Sequence, residues 1–286
     1  MDANQKKGVL FAVLAAVFYA LNAPFSKLLL GSVPPTMMAA FLYLGAGIGM
    51  AAMQQARKNT SANAESRFTR KELPYTIGMV VLDIAAPIFL MIGIAKTSAA
   101  NASLLNNFEI VATSMIALLV FRERISRKLW LGIGLVTLSS LILTAGDIGS
   151  LSVSVGSLYV LAACVCWGLE NNCTRALSSK DPVQIVVIKG LFSGAGALVV
   201  GETLPAWTDI LFALVLGFVA YGLSIMFYIY AQRWLGAAKT SAYYAIAPFV
   251  GVALSLLIFR EVPSASFLIA LVVMVAGTYV VTFAEN

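Results

Sequence analysis

The feature that most constrains this chain is the spacing of its polar breaks. Apolar runs fall near 8–30, 35–55, 73–95, 99–121 and 129–147, then near 156–178, 183–203, 209–231, 237–258 and 264–284. A helix needs about 20 apolar residues to cross a bilayer, so this pattern predicts an all-α polytopic membrane protein of about ten transmembrane helices. Charged residues make up 11% of the chain, against about 25% in soluble domains. The longest polar stretch, ARKNTSANAESRFTRKE at 56–72, leaves no room for a separate soluble domain. The first run follows Lys6 and Lys7 as the core of a signal peptide would. Its length and the later runs favour a retained first helix.

The loops carry an orientation. Lys6 and Lys7 precede the first run, and Arg57, Lys58, Arg67, Arg70 and Lys71 follow the second. Arg122, Arg124, Arg127 and Lys128 follow the fourth, Lys180 the sixth, and Arg233 and Lys239 the eighth. The intervening loops GSVPPT, GDIGSLSVS and GETLPAWTD have no positive charge, Lys96 and Arg260 being the exceptions to the alternation. Positive loops stay in the cytoplasm, so both termini are expected there and the chain in the cell inner membrane as a multi-pass protein. The same topology accounts for the formal +6 charge. No basic stripe interleaved with aromatics calls for a nucleic-acid partner. The expected partners are the bilayer and a small-molecule solute, with the chain a monomer or weak homodimer.

The sequence also repeats itself. GVLFAVLAAVFYALNAPFSK (8–27) aligns without gaps to GSLYVLAACVCWGLENNCTR (156–175), Gly45-Ala46-Gly47 meets Gly194-Ala195-Gly196, and Phe121-Arg122-Glu123 meets Phe259-Arg260-Glu261. Two five-helix repeats follow, 1–150 and 151–286. Five is odd, so the copies are inverted in the bilayer, an arrangement that places a transport site at the midplane between them.

Three motif sets carry a resemblance: the aromatic-to-Lys/Arg ends of the first and sixth runs, the Ala/Ser-rich openings SAANASLLNNFEI (98–110) and GAAKTSAYYAIAP (236–248), and the Phe-Arg-Glu ends. Over essentially its whole length the chain resembles the EamA-type ten-helix group of the drug/metabolite transporter superfamily. The resemblance implies a secondary transporter of small organic metabolites, with amino acids or related solutes exported rather than imported. One departure stands out. The family's Glu-Pro pair is Glu109-Ile110 in the fourth run and Ala247-Pro248 in the ninth, so each half keeps one member.

Ionisable side chains at membrane depth cost roughly 2.5–3.5 kcal/mol at a helix centre and therefore mark candidate function. Asp83 lies about ten residues into the third run, roughly 15 Å from its start, and Glu109 lies near the middle of the fourth. Each reads as an interhelical polar contact or as part of a pathway. Glu170 and Lys189 fall at similar depth on consecutive antiparallel helices, which predicts an ion pair. Their first-half counterparts are Asn22 and Ala40, so the pair breaks the repeat and points to a site. Trp167, Glu170, Asn171 and Thr174 share a face by three-four spacing, as do Tyr19, Asn22, Ala23 and Ser26. Asn101, Asn106, Asn107, Tyr243 and Tyr244 extend the candidate lining. The candidate substrate-binding set is Tyr19, Asn22, Asp83, Asn101, Glu109, Trp167, Glu170, Asn171, Lys189 and Tyr244, with Asp83, Glu109 and Glu170 as candidate proton carriers.

Lys27 and Arg175 lie near helix ends, where they are expected to snorkel. The spacings Gly45-x-x-x-Gly49 and Gly190-x-x-x-Gly194 predict close helix contact. Pro24, Pro87 and Pro248 predict kinks. Cys164, Cys166 and Cys173, in a chain without histidine, read as packing residues rather than metal ligands. No cofactor and no catalytic residue is expected: GxxxxGK[ST], HExxH and GxSxG are all absent, so energy must come from a gradient and hydrolase chemistry lacks its parts. The alternatives are uptake or exchange of nucleosides, nucleotide-linked metabolites or cationic drugs, and, outside transport, a receptor-like or enzymatic helical bundle. Phosphate substrates would need paired deep cations, and Lys189 is the single deep candidate.

Overall fold

The structure, a computed structural model, describes residues 3–58, 70–121, 127–144, 154–177, 180–201, 203–235 and 243–284. Among these residues the regular structure is entirely helical. The first half contains α1 (Ala3–Ala20), α2 (Asn22–Leu29), α3 (Pro35–Lys58), α4 (Leu73–Lys96), α5 (Ala99–Leu105), α6 (Phe108–Phe121) and α7 (Arg127–Thr144). The second contains α8 (Val155–Ala176), α9 (Pro182–Val200), α10 (Trp207–Gly217), a π-helical turn (Phe218–Leu223), α11 (Ser224–Leu235), α12 (Ala247–Phe259) and α13 (Ala265–Ala284). Among the described residues, five segments are long and apolar enough to cross a membrane: Asn4–Leu29, Pro35–Ala56, Leu73–Lys96, Pro182–Val200 and Trp207–Ala231. The predicted boundary at 150, the loop residues Arg67, Arg122, Arg124 and Lys239, and the Arg175 side chain lie outside the described residues.

Local chemistry explains several ends. Ser98 opens α5 by accepting from the Asn101 amide at 3.1 Å, and Asp181 opens α9 by accepting from the Val183 amide at 2.9 Å. Pro182 follows in the first turn, where its missing N–H costs nothing. Lys27, expected to snorkel, is partly exposed and donates to the carbonyls of Ile94, Ala95 and Thr97 at 2.6, 3.1 and 2.7 Å. It thereby satisfies the end of α4, where cations are favoured by the helix dipole.

Three of the expected continuous runs are interrupted. The first breaks at Leu21, three residues before Pro24, and the ninth breaks at Ala245–Ile246, with Pro248 in the first turn of the helix that follows. The fourth breaks at Asn106–Asn107 although no proline is present. There the Asn107 amide donates to the Leu104 carbonyl at 3.3 Å, a local bond that competes with the helix ladder. Pro87, by contrast, sits within continuous α4.

The packing is two-fold in pattern. α4 packs on α8 as α1 packs on α11, while α3 pairs with α9, α7 with α13 and α5 with α12. The α3–α9 and α3–α10 contacts are made by backbone, because glycines remove the side chains between them. A Cβ at Gly47 would stand 2.6 Å from the Leu191 nitrogen, and one at Gly190 would run into Gly47. Gly45 and Gly217 meet the Leu214 and Leu42 carbonyls in the same way.

Burial runs opposite to that of a water-soluble protein. Val199 is 87% exposed and Phe212 63%, whereas Asp83 is 0% and Glu170 1% exposed. The interior is built largely of alanines such as Ala12, Ala15, Ala39 and Ala40, with methionines filling the irregular gaps. An apolar exterior around a buried polar centre is the arrangement a bilayer demands.

Candidate functional site

The buried polar centre forms where α3, α4, α8 and α9 meet. Lys189 on α9 places its Nζ 3.1 Å from Glu170 Oε1 on α8 and 3.1 Å from Asp83 Oδ2 on α4. The Glu170–Lys189 pair is therefore formed, and Asp83, read from the sequence as a separate group, is its third member. Tyr43 on α3 donates its hydroxyl to Asp83 Oδ1 at 2.8 Å, and Trp167 Nε1 approaches the Tyr43 oxygen at 3.5 Å. Thr174 donates to Glu170 from one turn further along α8. With all three groups ionised the cluster carries one net negative charge, and each charge has at least one polar partner, as burial requires.

Asn171, expected on the Glu170 face, turns instead toward α6. Its amide donates to Glu109 Oε1 at 2.7 Å and approaches Thr113 Oγ1 at 3.3 Å. Glu109 is half-buried and belongs to this second, neutral-partnered contact rather than to the ion cluster.

A third polar group forms on the related seam. Asn22 donates to the Tyr221 hydroxyl at 3.1 Å and accepts from Ser26 at 3.0 Å. Tyr221 lies on the π turn, immediately after the Gly217 contact with α3. Its ring stands 5.1 Å from that of Tyr43 and 6.1 Å from that of Tyr19. Tyr19 continues to Tyr244 at 6.0 Å, and Tyr244 to Tyr228 at 4.9 Å. A chain of aromatic rings thus connects the ion cluster to the breaks in the first and ninth runs.

Asn101 is not brought to this centre. It lines a cavity of about 270 Å³ with Ser98, Glu261, Ser264 and Phe267, at the end of the bundle where α5 begins and α12 ends. Sequence reasoning misses Tyr43 and Tyr221. Tyr43 has an available signal, since it lies one helical turn before Gly47 and so on the α9-facing side of α3. Tyr221 has none, because its direction depends on the π turn. The cysteines are unpaired, and Cys164 is buried with its Sγ 3.6 Å from the Leu105 carbonyl. Among the described residues no group of three or more metal-ligating side chains is present.

Known proteins resemble this chain in sequence and in fold. A protein of Methanothermobacter thermautotrophicus (strain Delta H) described as an uncharacterized transporter is 26% identical over 294 aligned positions, covering 96% of this chain and 85% of its own length. The uncharacterized transporter YyaM of Bacillus subtilis (strain 168) is 22% identical over 253 positions, covering 84% and 82%. A solved crystal structure superposes with a TM-score of 0.69 at 17% identity, over 98% of this chain and 97% of the other, a likeness of fold. The sequence profile of the EamA-like transporter family matches twice, over 6–145 and 154–283. With both halves matched, this all-helical membrane protein belongs to the EamA-like transporter family.

Proposed function

We propose that the protein is a secondary active transporter that exports small organic metabolites, amino acids or related amphipathic solutes, across the inner membrane by alternating access. In this reading ten helices form two inverted repeats, with both termini in the cytoplasm. The observation that carries it is the Asp83–Lys189–Glu170 cluster, buried on the seam between the halves with one carboxylate in excess. Such a group is too costly at membrane depth to serve only as filler. It sits beside aromatic walls from Trp167, Tyr43 and Tyr221 that suit an amphipathic solute. Asp83, Glu109 and Glu170 are the proton carriers of this mechanism, since no histidine is available.

The net negative charge also favours a second reading, export of organic cations, over nucleotide-linked substrates. Uptake of radiolabelled amino acids and amines into proteoliposomes, across a pH gradient, tests both. Amino acid flux that responds to the gradient in the wild type, and loses that response in Glu170→Gln or Asp83→Asn, is the expected result. Pure amine flux selects the second reading. An unaltered pH response in both variants refutes proton coupling, and the absence of any solute flux refutes transport.

A further inference from the structure

Apart from the ion cluster, one small cavity, which Tyr19 of the tyrosine chain also lines, gathers buried polar atoms, two of them without partners. It measures about 10 Å³, and its walls include Ala20, Asn22, Ser103, Asn106, Pro248 and Gly251. These residues lie where the first run breaks, where α5 ends and where α12 begins. The volume is about what a single water or a bare monovalent ion needs.

Two of its oxygens lack a partner. Ser103 is 3% and Asn106 8% exposed, and Ser103 Oγ and Asn106 Oδ1 have no hydrogen-bond partner. A buried oxygen left without a partner is costly, so such atoms call for an occupant. The Ala20 carbonyl is a third oxygen. Its helical partner would be the amide four residues on, but that residue is Pro24, which has no N–H. The same carbonyl lies 3.4 Å from where a Cβ on Gly251 would stand, and Ser103 Oγ lies 2.8 Å from that point. Both oxygens therefore face space that a glycine keeps open. Asn22 Oδ1 accepts from Ser26 and has a second lone pair in reserve, while the Asn22 amide nitrogen is already given to Tyr221. No Lys, Arg, Asp or Glu stands among the lining residues.

The helix ends limit the charge this set can hold. α1 and α5 bring negative C-terminal ends to the cavity, and α2 and α12 bring positive N-terminal ends, which oppose a doubly charged ion. Freed carbonyls and hydroxyl or amide oxygens at interrupted membrane helices are suited to a dehydrated monovalent cation.

We propose that this cavity binds one monovalent cationic centre, either a sodium ion or the ammonium group of the transported solute. Ser103, Asn106, the Ala20 carbonyl and Asn22 supply the oxygens, and Gly251 supplies the room. Sodium would act as a coupling ion, whereas an ammonium group would be read here while the rest of the solute extends along the tyrosine chain. The inference rests on the transporter reading for its role, and the two fail separately: solute flux tests transport, and salt-dependent unfolding tests the cavity.

The experiment is thermal unfolding of the purified full chain in sodium chloride, methylammonium chloride and N-methylglucamine chloride at equal ionic strength. A bound cation raises the midpoint in a saturable manner, the bulky control does not, and each variant is compared with its own control. A rise in sodium assigns the cavity to an inorganic ion, and a rise in methylammonium without one in sodium assigns it to the solute's ammonium group. Either increment should vanish in Ser103→Ala/Asn106→Ala. It should vanish independently in Gly251→Ala, whose methyl group occupies the cavity, so a folding defect in one variant leaves the other to decide. Equal midpoints in all three salts, or an increment that survives in these variants, would overturn the proposal.

Discussion

The α4–α8 seam and the α1–α11 seam are related by the two-fold packing, yet they hold different chemistry. The first carries Asp83, Glu170 and Lys189 in one connected cluster. The second carries Asn22 against the tyrosine of the intervening π turn, at 3.1 Å, with no charge on either residue. The sequence repeat sets Glu170 opposite Asn22, so the scaffold tolerates a carboxylate or an amide at the same place. The difference teaches that the fold does not require the charges. A feature needed to hold two equivalent seams together would recur in both, and the neutral seam packs without one. The proposed function assigns the charges to work done on one side of a symmetric frame.

The sharpest way to break the comparison is to unbalance the charged seam. Lys189→Met strands two buried carboxylates, and removal of one partner from a buried pair costs about 3–5 kcal/mol. Unfolding of the purified protein should show a larger loss than any other single substitution on either seam. If the charges serve work rather than folding, Asp83→Asn/Glu170→Gln/Lys189→Met should recover most of that loss while solute flux stays absent. Recovery of flux as well would place the transport site elsewhere. The two tyrosines then calibrate the seams against each other. Tyr43→Phe removes a hydrogen bond to a carboxylate, worth about 1.5–3 kcal/mol. Tyr221→Phe removes a neutral one, worth about 0.5–1.5 kcal/mol. Equal midpoint shifts for the two variants would mean that the charged seam holds its hydroxyl no more tightly than the neutral one.

Much of this is legible in the sequence because the relevant signals are periodic or symmetric. The Glu170–Lys189 pair follows from depth on consecutive antiparallel helices, and the glycine seams from four-residue spacing. Asp83 reads as deep but not as a partner, because the third and seventh runs are not consecutive and no spacing rule brings them together. The interruptions are harder. Pro24 and Pro248 announce two of them, but the break at Asn106–Asn107 comes from side chains that compete locally for backbone groups, a weaker signal inside an apolar run. The π turn leaves no compositional mark at all, and with it the position of Tyr221 stays hidden. That Lys27 lies near a helix end is legible, but its partners at the end of α4 are not, because no spacing rule links the first and third runs.

The crossing of Gly47 and Gly190 has a mechanical meaning. Two backbones that touch without side chains resist being pressed closer, yet they have no interlocked teeth to climb when one turns on the other. Such a joint behaves as a bearing, and it lies on the self-paired α3–α9 contact around which the halves are arranged. Gly190 is also the residue next to Lys189. A small turn of α9 at this bearing would swing the ammonium relative to Asp83 and Glu170, so that the tilt of a helix and the strength of a buried ion cluster become one coordinate.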